Sequence, residues 1–133
     1  MAGLKYFPHL AGSLILAASG AVGLMHKWEP AKGSPDAHLF VYEDKLAICF
    51  TRLPPQSVFD AATSHAWNFG VGKTCSSAAM KQWNFGNYLL GCQLLAFQYD
   101  GTTPNWSLSD GKFVQGLHNR RLDEKKVCLK DVK

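Results

Sequence analysis

The stretch Tyr88–Tyr99, YLLGCQLLAFQY, is a long apolar and aromatic run, and its reading sets the fold class. It is too short to cross a bilayer, which takes about 20 apolar residues. Gly91 interrupts it, so it reads as one bent strand or two short ones with a bulge at the glycine. Asp100-Gly101 follows as a turn signal. Trp106 and Leu108 then alternate with Ser107 and Ser109, which puts both apolar side chains on one face of a strand. Asp110-Gly111 is a stronger turn signal, because glycine tolerates the positive φ that a tight hairpin requires. Lys112 to Leu117 returns from that turn, and Val127 to Leu129 reads as a last strand.

Upstream, Leu39–Tyr42 and Lys45–Thr51 read as a hairpin through Glu43-Asp44, ended by Pro54-Pro55, which cannot donate ladder hydrogen bonds. Ser57 reads as the cap of one short helix running to about Ala66, with Asp60 three residues on. The expectation is a mainly β domain, a small antiparallel sandwich or barrel with one short helix.

The N-terminus sets the expected compartment. Lys5 is the only charge before an apolar or small-residue run from Ala11 to Met25, and Gly20 and Gly23 supply small-residue exits. Residues 1–23 therefore read as a secretory signal peptide. Residues 24–37, with Pro30, Gly33, Ser34 and Pro35, read as an extended leader, and 38–133 as one domain. In an exported chain the four cysteines imply two disulfides. Their spacing lacks the close pairs of a zinc site, so no metal and no cofactor is expected. The pairing expected is Cys75 with Cys92, closing a local loop, and Cys49 with Cys128, tying the C-terminal segment to an early strand. The formal net charge is +4. The densest basic stretch, His118 to Lys126, is interrupted by Asp123 and Glu124, which argues against nucleic acid as a partner.

Two tetrapeptides repeat: Trp67-Asn68-Phe69-Gly70 and Trp83-Asn84-Phe85-Gly86. On strands, each copy would place both rings on one face. Trp67, Phe69, Trp83, Phe85 and Trp106 are thus the candidate binding surface, since flat rings anchor partners well. The alternative chemistry is general acid–base cleavage of RNA by His65, His118 and Glu43, with Arg120 on the phosphate. Asn105-Trp106-Ser107 fits a glycosylation sequon at Asn105. No basic amphipathic helix supports a membrane-active toxin, and no stable membrane insertion is expected.

The layout of signal peptide, about a hundred mature residues, four cysteines and a β-rich pattern resembles the small secreted proteins of filamentous fungi, including effectors of plant pathogens. That resemblance implies a secreted, non-catalytic protein that contacts a host protein or a wall glycan. Ribonuclease-like effectors share the same layout.

Overall fold

Pro54-Pro55 sets the start of the central helix. Pro55 stands at the N-cap with φ −55° and ψ 147°, and α1 runs Gln56–Phe69. A proline at a helix start loses no hydrogen bond, since the first N–H groups have no helical partner. The computed structural model describes residues 4–6, 13–15 and 45–132. Every residue of α1 from Ser57 to Trp67 is buried, the pattern of a helix surrounded by others rather than lying on a surface. Ala61, Ala62 and Ala66 are fully covered. Their small side chains let neighbouring elements approach closely.

Around α1 stand α2 (Val71–Cys75), α3 (Ala78–Asn84), α4 (Tyr88–Gln93) and α5 (Gln115–Cys128). Ser77 caps α3, its hydroxyl accepting from the Met80 N–H at 3.1 Å. A 3-10 turn at Leu129–Asp131 follows α5 and folds back on the start of α1. There the Ser57 N–H donates to Asp131 Oδ2 at 3.0 Å, and the Ser57 hydroxyl donates to the Cys128 carbonyl at 2.7 Å. Among the described residues there are also two small antiparallel ladders. β1 (Leu4–Tyr6) pairs with β2 (Ser13–Ile15), and β3 (Leu108–Ser109) pairs with β4 (Lys112–Phe113). The apolar core lies between α1, α3 and residues 46–50, with Leu46, Phe50, Phe59, Met80 and Trp83 all covered.

The fold is therefore mainly α-helical, and the expected β-sandwich or barrel is overturned. Tyr88–Tyr99 forms α4, then turns, then a single β-bridge from Phe97 to Pro104. An unbroken apolar run has no period of its own. Its Leu, Gln and Ala are helix formers, and it holds no β-branched residue. Gly91 marks close approach rather than a bulge: a Cβ there would stand 2.3 Å from Trp83 Cδ1 and 3.0 Å from the Ala79 carbonyl. Residues 45–47 are helical, so Lys45–Thr51 is no strand. Of Lys112–Leu117 only Lys112-Phe113 is strand and Gln115 onward is helix, and all of Val127–Leu129 belongs to helix or 3-10 turn. The Asp110-Gly111 turn does form, with φ 51° and 78°, and the helix expected near Ser57 is α1. Ser57 lies inside α1 instead of capping it. The expected boundaries at residues 23 and 37, and the strand at Leu39–Tyr42, lie outside the described residues.

Two disulfides are present, with a different pairing from the one expected: Cys49–Cys75 and Cys92–Cys128. Helix packing decides this. The end of α2 lies beside residue 49, and α4 lies against the last turn of α5, so each bridge spans a Cα separation of 5.6 Å. Closing loops of 26 and 36 residues stabilises the fold by about 3.5 to 4 kcal/mol each in the chain-entropy model.

The Gly91–Trp83 contact leads to a first prediction. Gly91→Ala lowers unfolding free energy by about 1–3 kcal/mol, read as a fall in the urea midpoint at unchanged slope. A midpoint equal to wild type would show that the α3–α4 packing is looser than described.

Candidate functional site

The repeated tetrapeptide ends two helices. In the first copy Trp67, Asn68 and Phe69 close α1, and Gly70 follows at φ 94°. In the second, Trp83 and Asn84 close α3, and Gly86 follows at φ 88°. Glycine is favoured just past a helix end because it adopts positive φ without strain. Residues two apart on a helix point to different sides, so the rings of each copy separate. Trp67 and Trp83 enter the core, Phe85 is 68% exposed, and Phe69 is half-buried. The expected shared aromatic face is thereby dissolved.

One aromatic cluster does form. Trp106 packs edge-on to His65, with centroids 4.6 Å apart at 88°, and lies 4.9 Å from Phe69. Its φ is 57°, a conformation that costs a bulky residue about 1–3 kcal/mol. Such strain persists only where the surroundings hold it. An open groove of about 310 Å³ runs along these rings, lined by Phe69, Lys73, Asn105, Trp106, Ser107 and Leu108. Two larger depressions, of about 560 and 430 Å³, lie beside Tyr88 and Asp131 and beside Met80 and Phe85. Each has a single aromatic ring, and the Asp131 carboxylate is already engaged by the Ser57 N–H.

A buried charged network backs the groove. Arg121, fully covered, forks onto Glu124: Nε lies 2.7 Å from Oε1, and Nη2 donates to Oε2 at 3.0 Å. Arg121 Nη1 donates to Asn68 Oδ1 at 2.8 Å and approaches the Trp106 carbonyl at 3.5 Å. The same guanidinium lies 4.7 Å from the Phe69 ring centroid. Ser64 donates to Glu124 Oε2 at 2.6 Å, and Arg120 Nη2 donates to the Ser64 carbonyl at 3.1 Å. Two residues of the repeat and the strained tryptophan are thus fixed by one arginine on α5.

The expected histidine chemistry is not assembled. Thr74 donates its hydroxyl to the Gly70 carbonyl, so His65 Nδ1 donates to Thr74 at 2.7 Å. Burial, then the charges of Arg121 and Arg120, push the His65 pKa well below its usual value, keeping the ring neutral. His118 lies apart, between the rings of Phe97 and Phe113, and Arg120 is committed to Ser64. Glu43 lies outside the described residues. Asn105 is half-buried, and its amide nitrogen donates to the Leu94 carbonyl at 2.8 Å. That nitrogen is the one a glycan would need. Among the described residues, no group of three or more potential metal ligands occurs, and no helix is long and apolar enough to cross a membrane.

Sequence reasoning missed Arg121 and Glu124, and Asn68, expected to meet a sugar or a peptide backbone, accepts from Arg121 instead. Arg121 and Glu124 sat within an apparent solvated charge run, and only the opposite sign at a helical spacing of three hinted at a pair.

Comparison with known proteins gives the chain its relations. A family model described as phage lysozyme matches residues 36–124. The endolysin of Bacillus phage PZA is 38% identical over 69 residues, covering 52% of this chain and 24% of that protein. The endolysin of Bacillus phage B103 is 36% identical over 74 residues, covering 56% and 25%. The chain thus spans about a quarter of the length of these relatives. Among solved structures, an endolysin from Escherichia coli O157:H7 phage FAHEc1 superposes with TM-score 0.57 at 25% identity, covering 78% of this chain and 63% of that one. These matches overturn the fungal, effector-like, non-catalytic reading and its host-protein partner, because the similar proteins are phage endolysins and the family is one of enzymes.

Two predictions follow from the buried charges. Arg121→Met leaves Glu124 without its bidentate partner inside the fold, and unfolding free energy falls by about 3–5 kcal/mol, measured by denaturant titration. Asp60 is buried beside Gln56, and burial, helped by the Asp131 charge, raises its pKa to about 6. The folded state then holds this proton more tightly than the unfolded state. Asp60 therefore opposes folding above pH about 6, and the opposition fades as pH falls towards 4. Asp60→Asn should be more stable than wild type at pH 7.5, by up to about 3 kcal/mol, and nearly equal to it at pH 4. Equal stability at both pH values would show Asp60 to be solvated.

Proposed function

Because the chain belongs to the phage lysozyme family, we propose that it acts on the glycan strands of bacterial peptidoglycan as a glycoside hydrolase. The family match over residues 36–124 carries this reading. The likeness to a solved endolysin over 78% of the chain supports it. On this reading residues 45–132 contribute helical surface that meets the glycan.

Glycosidases of most families place two carboxyl groups across the scissile bond, one as acid and one as nucleophile or base. No carboxylate lines the Trp106 groove. Glu124 is held by two arginines, Asp131 by the Ser57 N–H, and Asp100 by the Thr103 hydroxyl and the Thr103 and Thr102 N–H groups, which lower its pKa to about 2. On this reading these three carboxylates are not the reacting pair, and the Trp106 groove supplies binding.

We also propose delivery to a non-reducing compartment. All four cysteines are paired, peptidoglycan lies outside the cytoplasmic membrane, and disulfides persist in oxidising surroundings.

The test is digestion of purified peptidoglycan by the full chain, with new reducing ends and new free amines counted separately. Reducing ends should appear without amines, and Asp131→Asn should retain the wild-type turnover per folded molecule. Release of amines alone, or of neither, would contradict the glycosidase reading.

A further inference from the structure

The groove beside Trp106 has the chemistry of a sugar site that none of the observations above assigns. Pyranose rings are amphipathic: C–H groups crowd one face, and hydroxyl and amide groups ring the edge. An aromatic plane suits the first, and polar groups at its rim suit the second. Phe69 and Trp106, both half-buried, supply two such planes along one open groove. Lys73 stands exposed at its rim, while Ser107 is buried beneath it with its hydroxyl donated to the Asn105 carbonyl. Asn105 holds the turn by donating to the Leu94 carbonyl, which fixes the residue just before the tryptophan.

Two features set this groove apart from an ordinary surface hollow. The first is backbone strain. Trp106 is kept at positive φ, where glycine would fit without cost, and its carbonyl is approached by the buried Arg121. Strain in a bulky residue, over-determined by its surroundings, recurs where a side chain must be presented in one pose. The second is charge. Lys73 is exposed at the groove and sits in the last turn of α2. Peptidoglycan carries carboxylates on its stem peptides beside every second sugar, so a lone ammonium at the rim complements it.

We propose that this groove is a saccharide subsite, which takes one amino-sugar ring against Trp106 and Phe69 and sets Lys73 against a carboxylate of the attached peptide. The subsite rests on the reading of the chain as a peptidoglycan hydrolase. It adds the place and the preference: an acidic, peptide-bearing sugar over a neutral one. Trp106 and Phe69 bind substrate here, and neither takes part in bond cleavage.

The experiment uses the full chain with two probes, chitotetraose and a disaccharide–tetrapeptide from peptidoglycan, followed by the indole N–H resonances in two-dimensional NMR. The Trp106 resonance should shift with both probes. Trp106→Ala should weaken binding about tenfold, with Trp106→Phe in between, and circular dichroism checks that each variant is folded. Lys73→Glu sits on the surface and should fold normally. It should weaken the acidic probe by several-fold more than chitotetraose. On peptidoglycan, Trp106→Phe should raise KM and leave kcat near wild type. If the chain cleaves peptidoglycan while the Trp106 resonance stays still, the subsite is wrong and the hydrolase reading stands. If the chain neither binds nor cleaves, both are wrong. Equal loss for both probes in Lys73→Glu would overturn the acidic preference.

Discussion

The fork between Arg121 and Glu124 is the constraint on which the rest of the structure depends. Both side chains are fully covered, and neither is tolerable there alone, since a buried unpaired charge is far costlier than the pair. Pairing within α5 answers only part of the requirement. The remaining donors and acceptors must be met from elsewhere, and they are met by Ser64 and Asn68 on α1 and by the Trp106 carbonyl. Each of these partners fixes a separate part of the chain. The helix pair α1–α5, the end of α1 and the turn carrying Trp106 thus acquire one geometry together. An apolar core would hold the helices equally well but would leave the pose of the tryptophan unspecified.

The disulfides act at the edges of this arrangement. Cys92–Cys128 joins α4 to the end of α5, just beyond the charged network, and Cys49–Cys75 joins residues before α1 to the end of α2. The three short helices between α1 and α5 would be marginal alone. Bridged at two points and anchored to α1, they form the lobe that the phage endolysin structure also shows.

Local signals in the sequence were read well where chemistry acts locally. Asp110-Gly111 makes the hairpin turn through two positive φ angles, whereas Pro54-Pro55, read as the end of a strand, marks the entry to α1. The same logic, applied to Gly70 and Gly86, would have shown the repeated tetrapeptide to be a helix ending. Reading it as strand placed Trp and Phe on one face and produced a binding surface that the helices take apart. Tyr88–Tyr99 was ambiguous for another reason: a buried strand and a short buried helix both appear as an unbroken apolar run. The charged network was least legible of all. Burial of Arg121 is a property of packing around α1, and nothing in the run His118–Lys126 separates a covered arginine from a solvated one. Of the candidate site, Phe69 and Trp106 were named from sequence, and Lys73, which completes the groove, was not.

A double-mutant cycle on Arg121 and Glu124 tests the central claim most directly. Arg121→Met, Glu124→Leu and the double variant would be compared with wild type by denaturant titration, with near-ultraviolet circular dichroism following the tryptophans. If the fork organises the lobe, each single variant is strongly destabilised and the double variant recovers part of the loss, because the bidentate pair is removed as a unit while Arg120 gives up its contact with Glu124 and keeps the Ser64 carbonyl. The tryptophan signal nevertheless stays altered in the double variant, since Trp106 has lost its anchor. Additive losses with an unchanged tryptophan signal would contradict the account, showing the two residues to be independent and the groove to be held by other contacts.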